Sequence, residues 1–192
     1  MTTSREIPSE YENAFNLSIP EPTLSKSFRL VCDLEAVRNL GQGLNGGEDG
    51  HWITFTGGYV SSNFNLTATI IPGGQDCQKV LPPSHPSSPL AAQLSTRYLL
   101  KTDDGVFIKV ETRGWRTGKK EVLEKLSRAA RAGGGGGEGE EVPGPEEYKF
   151  RLFIEMETDS KNEKYSWLNT AMFVGSGSRS GRQVIYDAYL VE

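Results

Sequence analysis

Three carboxylates stand in or beside segments that read as β-strands, and such groups are this chain's best prospect for proton-transfer chemistry. Asp76 follows the Gly73-Gly74 turn, Glu111 stands off the strand after Asp104-Gly105, and Glu157 closes a run of large apolar residues. In an apolar cavity each would have a raised pKa and could trade protons near neutral pH. On the surface each would instead cap a turn or pair with Arg97, Arg113 or Arg151. Other chemistry has less to work with. His51 and His85 have no second ligand at i+2 to i+4, and neither Cys32 nor Cys77 supplies metal-ligand spacing, so no metal is expected. A loop could bring Cys77 to His85 as a nucleophile-base pair. No nucleophile elbow or thiolate-stabilising helix start surrounds them, however, and a small buried thiol is the alternative use of Cys77. Tyr165, Trp167, Phe173, Tyr186 and Tyr189 make the last third aromatic-rich, either as pocket wall or as core.

These side chains must be positioned by β structure. The firmest element is a hairpin over Arg97 to Gly114, with β-rich runs on either side of Asp104-Gly105. As a two-residue type I′ loop, that dipeptide sets Asp103 against Val106, Thr102 against Phe107, Leu100 against Lys109 and Tyr98 against Glu111. Tyr98, Leu100 and Thr102 then share a face with Phe107, Lys109, Glu111 and Arg113. Neither face is purely apolar, which suits a sheet curled round a partly polar cavity or a hairpin between solvent and a mixed core. Shorter strands are predicted at Phe28–Leu34, at Trp52–Phe55 and Leu66–Ile71 joined through Gly57-Gly58, at Tyr148–Met156, at Ala171–Val174 and at Val184–Val191. Val122, Leu123, Leu126, Ala129 and Ala130 share one face of a helix over Lys119–Ala132. Residues 1–27 read as an extended arm, and 133–145 as a flexible Gly-rich insert in one domain spanning 28–192. The sum is mainly β, with about nine short antiparallel strands and one α-helix closing as a barrel or packing as a sandwich.

The 192 residues suffice for one domain with a real core, and the net charge of −4 leaves no basic stripe for nucleic acid. No apolar run is long enough to span a bilayer and the first residues hold no apolar leader, so a soluble, cytoplasmic protein with free thiols is expected. Gly41, Gly43 and Gly46 spell a dinucleotide fingerprint, but Gly47-Glu48-Asp49-Gly50 follows where a helix would have to open, so a solvated turn is the expectation.

Several segments together resemble the small proteins catalogued as domain of unknown function 3237. They are Gly57-Gly58, the IleIleProGlyGlyGlnAsp of 70–76, ArgTyrLeuLeuLysThrAspAspGly of 97–105 and Phe150-Arg151. They continue with Glu157-Thr158, TyrSerTrpLeuAsn of 165–169, PheValGlySerGly of 173–177 and TyrAspAlaTyr of 186–189. The resemblance implies a closed antiparallel β-barrel with one helix, paired as a homodimer. It also implies kinship with fungal members that are cofactor-free cyclases, which add a phenol O–H across a prenyl-type alkene. The chain departs from the pattern at Cys77, where an aromatic usually follows the Asp, at Ser61-Ser62-Asn63, and in longer 82–96 and 133–145 loops, so substrate identity does not carry over.

With the carboxylates above, the resemblance implies a cofactor-independent cyclase or isomerase of natural-product biosynthesis, working on a small aromatic or polyketide-terpenoid substrate inside the barrel. Asp76 and Glu157 would serve as acid or base and Arg97 and Arg151 as orienting cations. Tyr98, Glu111, Trp167, Asn169 and Phe173 would be substrate contacts. A non-catalytic small-molecule-binding barrel is the alternative, since no nucleophile or metal set stands out. A third reading is a partner-binding protein that engages another chain through its Gly-rich insert.

Overall fold

Along Tyr148–Glu157 buried and exposed side chains alternate without a break, the period-2 pattern of a strand with one face in a core and one in water. The same alternation recurs round the molecule. The computed structural model describes residues 7–43, 49–81, 83, 85, 88–131 and 142–192. Its strands are β1 (Leu24–Leu34), β2 (Arg38–Gln42), β3 (Asp49–Ser62), β4 (Thr67–Leu81), β5 (Leu90–Thr102), β6 (Phe107–Gly118), β7 (Tyr148–Glu157), β8 (Phe173–Ser180) and β9 (Gln183–Val191). Every pairing is antiparallel in the order β1-β9-β8-β7-β6-β5-β4-β3-β2, and β1 also pairs with β3. Eight strands therefore close into a barrel, with β2 as an added ribbon along the outer part of β3. Closure removes free sheet edges, and inward side chains fill the lumen.

Two helices accompany the barrel, α1 (Glu12–Phe15) and α2 (Lys120–Arg131). The long one matches the predicted helix, and its Leu123, Leu126, Ala129 and Ala130 are buried. Burying each such leucine is worth about 1.5–3 kcal/mol, which holds α2 against the barrel end where β6 runs into it. No described helix is long and apolar enough to cross a membrane. At the opposite end Phe28, Phe64, Trp167 and Phe173 pack edge to face or tilted at 5.3–6.2 Å between ring centroids, with Leu168 fully buried, and they plug the lumen.

Three expectations are corrected. The 1–27 segment is not extended throughout, because α1 interrupts it and β1 already begins at Leu24. The first six residues, and all of the Gly-rich insert before Val142, lie outside the described residues. Gly57-Gly58 and Gly73-Gly74 do not end strands. They sit inside β3 and β4, where the register slips between Thr54 and Tyr59 and between Ile71 and Gln75, so two long strands bend round the barrel where two short ones, Trp52–Phe55 and Leu66–Ile71, were expected.

The third correction concerns the hairpin register. Its loop is three residues, Asp103–Gly105: Gly105 N–H donates to the Thr102 carbonyl at 2.9 Å and Thr102 N–H to the Val106 carbonyl at 2.9 Å. Thr102 Oγ1 accepts from Val106 N–H at 2.8 Å, and Gly105 takes φ +88° as the bulge residue. Tyr98 therefore faces Val110, not Glu111, and Leu100 faces Ile108. That one-residue shift turns Ile108, Val110 and Thr112 inward and Lys109, Glu111 and Arg113 outward. A Cβ at Gly105 would touch nothing within 4 Å, so Gly105→Ala carries backbone strain alone. Thermal unfolding should register a loss of about 1–2 kcal/mol, and an unchanged midpoint would refute this loop geometry.

Candidate active site

Once the register is set, alternation delivers polar side chains to an apolar lumen. Along β6 the inward positions run Ile108, Val110, Thr112, Gly114 and Arg116. Along β4, past the glycine bulge, they run Asp76 and Gln78, and β8 contributes Arg179. β3 adds His51 near its start. All four strands bring these groups to the barrel end that α2 covers. Asp76, Gln78, His51, Arg116 and Arg179 are each more than nine-tenths buried.

The cluster is tied together by hydrogen bonds. Gln78 Nε2 donates to Asp76 Oδ2 at 2.6 Å, and Arg116 Nη2 donates to Gln78 Oε1 at 3.3 Å, which fixes which way the amide points. Arg179 is held by its own Nε on the Gly181 carbonyl at 3.1 Å and by its N–H on the Tyr148 hydroxyl at 2.9 Å. Among the described residues Asp76 Oδ1, Arg116 Nε and Nη1, Arg179 Nη2 and His51 Nε2 have no hydrogen-bond partner. Burial raises the Asp76 pKa, and the Gln78 hydrogen bond and the charges of Arg116 and Arg179 offset only part of that rise. Burial likewise lowers the Arg116 guanidinium. Arg179 falls to about 10, first through burial and then through repulsion by Arg116, and so stays cationic at neutral pH. His51 is lowered by burial despite Asp49 at 3.7 Å, so its imidazole is neutral there.

The cluster borders two spaces. An outer chamber of about 360 Å³ lies between the barrel mouth and α2, with Gln78, His51, Arg116 and Arg179 on the barrel side and Leu123 and Leu126 on the helix side. A deeper cavity of about 20 Å³, room for one water-sized group, is walled by Asp76, Tyr98, Tyr186, Cys32, Phe55 and Thr112 among others. A hydrogen bond links the two walls, with Asp76 on the inner one and its partner Gln78 on the outer. Tyr98 and Tyr186 are hydrogen-bonded hydroxyl to hydroxyl, and Phe55 stacks on Tyr98 at 4.7 Å. Burial raises both phenols well above their ordinary pKa, so they remain neutral.

Of the residues expected in the site, Asp76 and Tyr98 face this lumen. Glu157 does not, because it has the outward parity of Arg151, Phe153 and Glu155 on β7, and it pairs with Lys109 outside. Arg97 is exposed and bridges to Glu111 at 3.0 Å, with Lys109 on the same carboxylate at 3.4 Å. Such exposed pairs are screened by water and salt and add little to stability. Arg151 donates to Ser176 Oγ and to the Phe150 carbonyl, both at 3.0 Å. Asn169 is exposed and accepts the Thr158 N–H at 2.8 Å, closing the loop after β7. Trp167 and Phe173 belong to the aromatic plug. The structure thus does not bring Glu157, Arg97, Arg151, Glu111 or Asn169 to Asp76. Gln78, Arg116 and Arg179 were missed, although each is a polar residue at an inward parity, and Arg116 follows directly from Ile108, Val110 and Thr112 at period 2.

The comparisons agree with this architecture. A family model described as protein of unknown function (DUF3237) matches residues 22–191. A UPF0311 protein of Clostridium acetobutylicum is 33% identical over 139 residues, 72% of this chain and 75% of its own. The crystal structure of a conserved protein of unknown function from Rhodopseudomonas palustris superposes with a TM-score of 0.74 at 28% identity, covering 91% of this chain and all of that one. A more distant crystal structure, described as an enzyme from Penicillium herquei, superposes with a TM-score of 0.58 at 18% identity over 91% of this chain and 98% of its own, a likeness of fold.

Proposed function

The chain belongs to the DUF3237 family of proteins of unknown function, and from that membership and the lumen geometry we propose a cofactor-independent cyclase or isomerase that works by proton transfer. The observation that carries the reading is the wholly buried Asp76 with its raised pKa, on the wall of a small aromatic cavity and one hydrogen bond from Gln78 on the wall of a chamber of ligand size. A carboxyl whose acid form is favoured by burial is a general acid able to reach carbon. For a phenol bearing a prenyl-type alkene, the Asp76 proton goes to one alkene carbon and the phenol oxygen closes on the other. The phenol proton then returns to the Asp76 carboxylate. Product and substrate are isomers, so no oxidant or reductant enters. In this reading the chamber takes the ring and the alkene reaches the Asp76 carboxyl past Gln78. Arg116 and Gln78 hold the carboxyl in place, and neutral Tyr98 and Tyr186 supply hydroxyls without charge.

A non-catalytic binding barrel is the second reading, favoured by an inner lumen of only about 20 Å³. Incubation of prenylated phenols with the protein in D₂O separates the two. Catalysis yields an isomeric product with one deuteron on the protonated carbon and a single configuration at the new centre. Tight binding of the same compounds with no isomer formed would make the protein a binder.

A further inference from the structure

The chamber under α2 contains more positive charge than the fold can use. Arg116 is 7% and Arg179 4% exposed, and both guanidinium groups line the chamber wall. Asp76 attracts both but hydrogen-bonds directly to neither, since its Oδ2 takes Gln78 Nε2 and its Oδ1 has no partner among the described residues. Two cations against one carboxyl leave at least one positive charge over. Three of their N–H donors, Arg116 Nε and Nη1 and Arg179 Nη2, are also left without a partner among the described residues. Buried guanidinium groups in this condition are destabilising unless something anionic completes them. The other ionisable groups round the chamber do not supply it. Asp49 lies against His51, Glu124 is 3.8 Å from Lys120 on α2, and Arg131 adds a further cation. The rest of the chamber wall includes apolar Val80, Leu90 and Ala92 beside the guanidinium groups on the barrel and Leu123 and Leu126 on α2.

We infer that the chamber is the seat of an organic oxyanion, a carboxylate or acidic phenolate on an apolar body, gripped by Arg116 and Arg179 while its body lies against the α2 wall. The planar fork of a guanidinium suits the two oxygens of a carboxylate and can also share the single oxygen of a phenolate, and two guanidinium groups on one chamber select an oxyanion over a neutral ester or ether. The inference rests on the proposed proton-transfer function for its biological meaning and narrows that substrate to an acidic one.

The test is calorimetric titration, near neutral pH, with 2-naphthoate, its methyl ester and inorganic phosphate. The acid should bind about tenfold or more tightly than the ester, and more tightly than phosphate, which lacks the apolar body. Arg116→Gln and Arg179→Gln, checked for folding by near-ultraviolet circular dichroism, should each erase most of the acid's advantage and leave the ester unchanged, and Arg179→Lys should restore part of it. Should the variants fail to fold, the wild-type comparison of acid with ester still decides. Equal affinity for acid and ester overturns the inference. Phosphate binding as tightly as naphthoate overturns its organic part. Asp76→Asn separates the two proposals. If it retains the acid preference and also wild-type turnover, the oxyanion seat stands and the proton-transfer reading falls. If it abolishes turnover in a protein that shows no acid preference, the reverse holds.

Discussion

Asp76→Asn is expected to leave a folded barrel that turns over its substrate about 10²–10⁴-fold more slowly, the range spanned by loss of a general acid. The amide has the carboxyl's shape, and its oxygen still accepts the 2.6 Å hydrogen bond from Gln78 Nε2, so packing there is preserved while the transferable proton is gone. The pH behaviour gives an independent check. The Asp76 pKa is raised in the fold, chiefly by burial. Its contribution to stability is therefore fully present below the unfolded carboxylate value and is lost as pH rises through the folded value. Urea unfolding should show the wild type losing stability over that interval and the Asn variant holding flatter. Turnover through the acid form should fall over the same upward titration, and that limb should vanish in the variant. Identical pH profiles for the two proteins, in stability and in rate, would remove Asp76 from the chemistry.

How far the sequence could lead to this carboxyl depends on what each strand reveals about itself. β7 is legible throughout, because Phe150, Leu152, Ile154 and Met156 leave no doubt which parity is buried, and that parity already sets Glu157 and Arg151 outside. The helix is legible for the same reason at period 3.6. The hairpin is legible as an object but not in register. Asp103-Asp104-Gly105 serves a two-residue loop or a three-residue bulged loop equally well, and only the Thr102–Val106 hydrogen bonds choose between them. With the two-residue loop, Glu111 and Lys109 share a face with Tyr98, and the inward run ending at Arg116 is hidden. β3 and β4 mislead in another way. Their glycine pairs read as terminators, whereas a closing barrel uses glycine inside long strands to turn corners, so Asp76 appears just after a turn when it lies mid-strand. Arg179 comes from a Ser-Gly-Ser-Arg-Ser-Gly stretch with no apolar rhythm, and only tertiary pairing with β9 makes it a strand.

Gly58→Ala should be the most damaging small substitution in the barrel wall, destabilising it by about 3–5 kcal/mol through two additive causes. Gly58 has φ +140°, a conformation that alanine adopts only under strain. A Cβ there would also press on the Val31 carbonyl oxygen, a backbone atom fixed in the β1–β3 pairing, and lie 2.7 Å from Ile70 Cδ1 and 3.1 Å from Cys32 Cα. Gly105→Ala, with left-handed strain and no collision, isolates the first cause, and the difference between the two midpoints measures the second. For a chain of this size the extra loss should appear as a drop of about 10 °C in Tm. The location makes the damage functional as well as structural. Gly58 pairs with Cys32 in the β1–β3 seam that closes the barrel, and Cys32, 1% exposed, walls the inner cavity beside Asp76. Forcing the seam apart should expose that thiol. In a Cys77→Ser background, Gly58→Ala should make Cys32 react with a thiol reagent well below the midpoint of unfolding, whereas Gly105→Ala should not. A Gly58→Ala protein with native stability and an unreactive Cys32 would mean that the barrel does not close through this seam.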